Sequence, residues 1–111
     1  MACAAYGCFD AAFERHRMNG LQQGHYLDWA RPYHDTVQGE VGYLDTDIFH
    51  LWHGDRVNRF YSERFEGFRS FNFNPFTDIA INRNGTWNWN TVKPEMHEYV
   101  RAYFAARKED G

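Results

Sequence analysis

Aliphatic side chains are sparse in this sequence. Its apolar runs last only a few residues, far short of the ~20 needed to span a bilayer. No basic stretch leads into an apolar segment at the N-terminus, so no secretory leader is expected and a cytoplasmic location follows by default. Cysteine is scarce too. Cys3 and Cys8 have no second pair, which points to reduced thiols rather than a disulfide framework or a zinc ribbon. Positive charge is not in excess: 12 Lys and Arg against 15 Asp and Glu give a net charge of −3, which supplies no general nucleic-acid footprint. Internal repeats and low-complexity segments are also missing. At 111 residues the chain is one unit. What it has in quantity is aromatic: 10 Phe, 7 Tyr and 4 Trp beside a mean hydropathy of −0.75. Disordered chains are poor in aromatics, so a folded domain with a very polar surface is expected.

The pattern along the chain predicts an α+β unit with three or four helices. Residues 2–16 read as one helix, with Ala5, Phe9, Ala12, Phe13 and His16 at helical spacing and no polar N-cap ahead of it. A start inside an apolar helix suits a chain that has lost an upstream half. A second helix is expected over 21–37, kinked or restarted near Arg31 by Pro32. Residues 41–44 and 48–52, rich in β-branched and aromatic residues, predict a short strand pair at about 41–52. Asp55 is placed to cap a helix from 56 to about 68. Asn84-Gly85 between two alternating runs predicts a β-hairpin at about 79–89. Pro94 suits the first turn of a last helix ending near Arg107.

The chemistry concentrates in Ile48-Phe49-His50-Leu51-Trp52-His53-Gly54-Asp55-Arg56. Two imidazoles three residues apart, where a strand ends and Gly54 lets the chain turn, can share one metal ion. By itself His-x-x-His is a weak signal, and two satisfied histidines explain it as well. Arg56, Arg59 and Arg64 then follow on or near one helix, a setting suited to a phosphate. Their bland reading is pairing with Asp55, Glu63 or Glu66 on a solvated face. Trp52 between the histidines is the candidate for stacking on a sugar ring; hairpin or core packing is expected of Trp29, Trp87 and Trp89. His25, His34 and His97 read as surface or capping groups, and His16 as a group near a helix end.

These residues resemble a known family. Gly42-Tyr43-Leu44-Asp45 through the His50-Leu51-Trp52-His53-Gly54 core, then Arg59-x-Tyr61-x-x-Arg64, is similar to the C-terminal part of bacterial and phage GT-A-type glycosyltransferases. These enzymes are like those of family 2 and like the C-terminal region of β-1,4-galactosyltransferases. The resemblance continues through Phe73-Asn74-Pro75, Asp78-Ile79, Gly85-x-Trp87-x-Trp89 and Tyr103-Phe104-x-x-Arg107-x-Glu109-Asp110. It implies a metal site in which His53 matches the metal histidine and His50 takes the place of a methionine, with Mn²⁺ as the ion. It further implies Arg59 and Arg64 as diphosphate-binding residues, and a nucleotide-sugar and a glycan acceptor as partners of the full-length enzyme.

The family's nucleotide-binding half, its Asp-x-Asp metal motif and its acidic base loop have no counterpart here. Asp45-Thr46-Asp47 looks like Asp-x-Asp but precedes the histidines instead of following a nucleotide-fold strand. The resulting expectation is a C-terminal glycosyltransferase segment over 1–111 that transfers no hexose in isolation. A non-catalytic metal- or carbohydrate-binding module is the alternative from another class, and a helical interaction protein with structural histidines is a third.

Overall fold

A computed structural model of the chain describes residues 1–49, 59–61 and 63–107. The described residues form an α+β unit with five helices and one two-stranded antiparallel sheet. The helix expected over 2–16 is two helices, α1 (Ala2–Ala5) and α2 (Phe9–Arg15). Helical spacing continues across the break, but Gly7 adopts φ +69°, a left-handed conformation that stops the helix. The His34 ring occupies the space beside it, 3.0 Å from where a Cβ would stand. His34 Nδ1 also donates to the Ala5 carbonyl at 3.0 Å, so this histidine ties α1 to the third helix and is not a surface group.

That helix, α3 (Gly20–Val37), starts on a capping box. The Asn19 side chain accepts from the Gln22 N–H and the Gln22 side chain accepts from the Asn19 N–H, both at 2.9 Å. Pro32 lies inside α3 without ending it, contrary to the expected restart near Arg31. Alanines make the closest helix contacts: Ala4, Ala5, Ala12 and Ala30 are buried. Around them Phe9, Phe13, Tyr26 and Trp29 meet edge to face, with ring centroids 5.0–6.4 Å apart.

Residues 41–49 have no regular structure, which removes the first strand of the pair expected at 41–52 and the start of the second. Tyr43, Leu44, Ile48 and Phe49 are each more than 85% exposed. Strand propensity is realised only against a partner, and among the described residues this stretch pairs with no strand. Residues 50–52 of that pair lie outside the described residues, as do Gly54, Asp55 and Arg56. The helix expected from 56 is shorter: α4 is Glu63–Arg69, and the chain before it turns sharply at Phe60, φ +44°. Arg59 therefore lies outside the helix.

The hairpin forms as expected. β1 (Ile79–Ile81) pairs with β2 (Trp87–Trp89), with Ile79 opposite Trp89, Ala80 opposite Asn88 and Ile81 opposite Trp87. Its turn is a three-residue one. Gly85 takes φ +78° while Asn84 does not take a positive φ, and the Asn82 side chain accepts from the N–H groups of Asn84 and Thr86. Below the hairpin sits Asp78, 1% exposed, accepting from Asn74 N–H (2.8 Å), Thr91 Oγ1 (2.6 Å) and Lys93 Nζ (2.7 Å). This clamp joins the hairpin to α5 (Pro94–Ala106), whose Pro94 stands in the first turn and whose Met96 is fully buried.

Candidate functional site

Of the residues singled out by sequence, His50, His53 and Trp52 lie outside the described residues. Arg59 and Arg64 are described, and their surroundings define the site. Arg64 projects from the first turn of α4 onto three rings. Its guanidinium carbon lies 5.1 Å from the Tyr61 centroid, 4.7 Å from Phe65 and 5.8 Å from Tyr103. Its Nη1 donates to the Tyr103 hydroxyl at 2.7 Å. Its Nε is buried and has no hydrogen-bond partner. No carboxylate pairs with it among the described residues, so the solvated-face pairing with Glu63 or Glu66 does not occur. Glu66 instead meets Arg17 at 3.6 Å.

Arg59, 8% exposed, donates through Nη1 to the Tyr61 hydroxyl at 2.9 Å and has its guanidinium 5.9 Å from that ring. Tyr61 thus lies between Arg59 and Arg64. On the far side Tyr103 lies between Arg64 and Arg107, whose guanidinium is 5.7 Å from the rings of Tyr103 and Phe104. The sequence places Tyr103 and Arg107 four apart on a helix, which is the signal that finds them. Reading Arg107 as the end of the last helix does not by itself reveal this alternation of cations and rings.

The cluster opens on a cleft of about 770 Å³, lined by residues 14–17 at the end of α2 on one side and by Tyr61 and residues 63–66 on the other. Its character at the arginine end is positive. His16 packs edge-on against Phe65 at 4.8 Å, and its pKa is lowered, first by desolvation and then by the charges of Arg15 and Arg64. Arg15, Arg17 and Arg64 share the cleft lining with Glu14, Glu63 and Glu66, so the positive character is local to Arg64. The first turn of α4 is acidic, with Glu63 and Glu66, so the helix end itself does not supply that character as the sequence pattern implied. The arginine side chains do.

The other histidines are packing groups. His25 lies against Phe76 at 5.2 Å, and His97 stacks on Trp89 at 4.3 Å with 19° between the planes. Among the described residues no three His, Cys, Asp or Glu side chains converge to hold a metal ion. No helix among them is long and apolar enough to cross a membrane. Comparisons with protein families, with curated proteins and with solved structures gave no match to this chain.

Proposed function

We propose that the chain is a glycosyltransferase segment of GT-A type that contributes metal-histidine and acceptor-side residues to hexosyl transfer from a nucleotide-sugar. The observation that carries this reading is Arg64: a guanidinium held by three rings, with no carboxylate partner among the described residues and a buried, unpartnered Nε, on the wall of an open cleft. An arginine so held presents fixed donors to a diphosphate, and its charge is not already spent on a neighbour. In this reading Arg64 takes the diphosphate of the donor, and Arg59 acts with it by fixing Tyr61. His53, with His50, would hold a divalent ion such as Mn²⁺, which when bound supplies charge for the departing diphosphate. Trp52 would stack on the sugar. The carboxylate that takes the acceptor hydroxyl proton belongs to another part of the enzyme, since no acidic base loop occurs in this sequence.

Calorimetric titration of UDP into the full chain in the presence of Mn²⁺ tests the reading. Each charge-assisted bond is worth roughly 1.5–3 kcal/mol, so Arg64→Ala should weaken UDP binding by about tenfold or more. Arg101→Ala, which removes a partner of Glu98 on α5, should leave it unchanged. Equal UDP affinity in wild type and Arg64→Ala would remove Arg64 from the diphosphate site and leave it a packing residue.

A further inference from the structure

We propose that one face of the hairpin is a carbohydrate-binding surface, with Trp87 as the stacking platform for a pyranose ring. The register places Ile79, Ile81, Trp87 and Trp89 on the same face, because side chains alternate along each strand and these four stand opposite one another in pairs. The two ends of that face differ. At the inner end Trp89 is stacked on His97 of α5, and Ile79 is half-buried against the helices. At the outer end Trp87 is 64% exposed and Ile81 62%. Trp87 has no ring partner among the described residues. One indole is therefore anchored and its neighbour is presented beside it, over a cleft of about 560 Å³ lined by Ile79, Trp87, Asn88 and Trp89.

Three further observations select the class of ligand. The first is hydrogen bonding at the rim. The ladder bonds Asn82 N–H to Thr86 C=O and Asn90 N–H to Asp78 C=O fix the hydrogen-bonded rows of the hairpin. Trp87 and Trp89 fall in the alternate rows, so their own N–H and C=O groups point outward along the open edge of β2. An aromatic face flanked by fixed donors and acceptors matches a ring with an apolar face and equatorial hydroxyls. The second is charge. From 79 to 93 the chain has no acidic residue, and of its two cations Lys93 is held by Asp78. Asn82, Thr86, Asn88 and Asn90 alternate onto the opposite face, so the platform face of the strands carries no charged side chain, which suits a neutral polyol. The third is size. The exposed part of the face is made by Trp87, Ile81 and part of Trp89, too few side chains to supply the ~800 Å² per partner that a stable protein interface needs.

Within the glycosyltransferase reading this surface holds the acceptor glycan, and its role rests on that reading although its binding does not. The experiment therefore contains no nucleotide. The full chain, labelled with ¹⁵N, is titrated with cellohexaose, maltohexaose and chitohexaose while the tryptophan indole N–H signals are followed. A saturable shift of the Trp87 signal and of its neighbour Trp89 with at least one of the three is expected; read on Trp89, binding is weakened roughly tenfold in Trp87→Ala and largely kept in Trp87→Phe, with circular dichroism confirming the fold of each. Arg101→Ala, on α5 where its exposed side chain pairs with Glu98, should bind as wild type. No shift with any probe at about 10 mM would overturn the proposal, as would equal binding by Trp87→Ala. So would dimerisation of the wild type that Trp87→Ala abolishes, which would show that a second copy covers the face. Sugar binding without any effect of Arg64→Ala on UDP affinity would leave a carbohydrate-binding module and discard the transferase reading.

Discussion

At the scale of single residues, Asp78 is the most deeply buried charge described, at 1% exposure. Burial alone would raise its pKa. The Asn74 N–H, the Lys93 and Thr91 donors and the Lys93 charge outweigh that and hold the carboxyl below its ordinary value. A depressed folded pKa stabilises above the unfolded value near 4 and loses that contribution as pH falls through the folded pKa. Asp78→Ala should therefore cost about 3 kcal/mol in urea unfolding at pH 7, with the gap to wild type narrowing below about pH 4. A gap that stays constant down to pH 2.5 would show that the clamp acts through shape alone. Asp78 was legible only as part of a family-like Asp78-Ile79 pair, because a lone Asp ahead of a strand has no local pattern that marks it as buried. Arg59 and Arg64 were marked by residue type as candidate anion ligands, a role that stays a proposal. Their ring partners were not, since Tyr61 and Tyr103 meet at Arg64 from positions 42 residues apart in the chain.

Among the elements, the hairpin and α5 followed from local chemistry: Asn84-Gly85 sets the turn and Pro94 the helix start. The misses have tertiary causes. The helix over 2–16 divides at Gly7 because His34 packs there, and 41–49 fails as strand for want of a partner. Proximity of α4 to α5 was likewise invisible in sequence, and it rests on Gly67. A Cβ at Gly67 would overlap the Tyr99 hydroxyl and stand 2.8 Å from Tyr99 Cζ. Tyr99 donates to the Arg64 carbonyl at 3.2 Å, so this contact sets where Arg64 sits. Gly67→Ala should cost about 1–3 kcal/mol and lower UDP affinity together with stability. Tyr99→Phe in the same chain should recover part of both, a coupling that a double-mutant cycle measures directly. Additive effects would mean that α4 has room to shift, and Arg64 would then not depend on this contact.

For the molecule as a whole, surface and radius are large for the chain length. The accessible surface is 8874 Å², against about 6,400 Å² for a compact monomer of 13.2 kDa. The radius of gyration is 16.6 Å, against about 13 Å for a compact chain of this length. Full burial of apolar side chains among the described residues is confined to four alanines and Met96, while the large aromatics share partial cover in edge contacts. Less surface is then exposed on unfolding, and the denaturant slope scales with that surface. The full 111-residue chain should accordingly unfold in urea with a slope below about 1 kcal/mol/M and a broad transition, rather than the steeper slope of a compact domain of equal length. Chitohexaose or another sugar that engages Trp87 should raise the midpoint by mass action without restoring the slope, because it covers too little surface. A steep, cooperative transition would show that the chain packs more tightly in solution than its surface indicates.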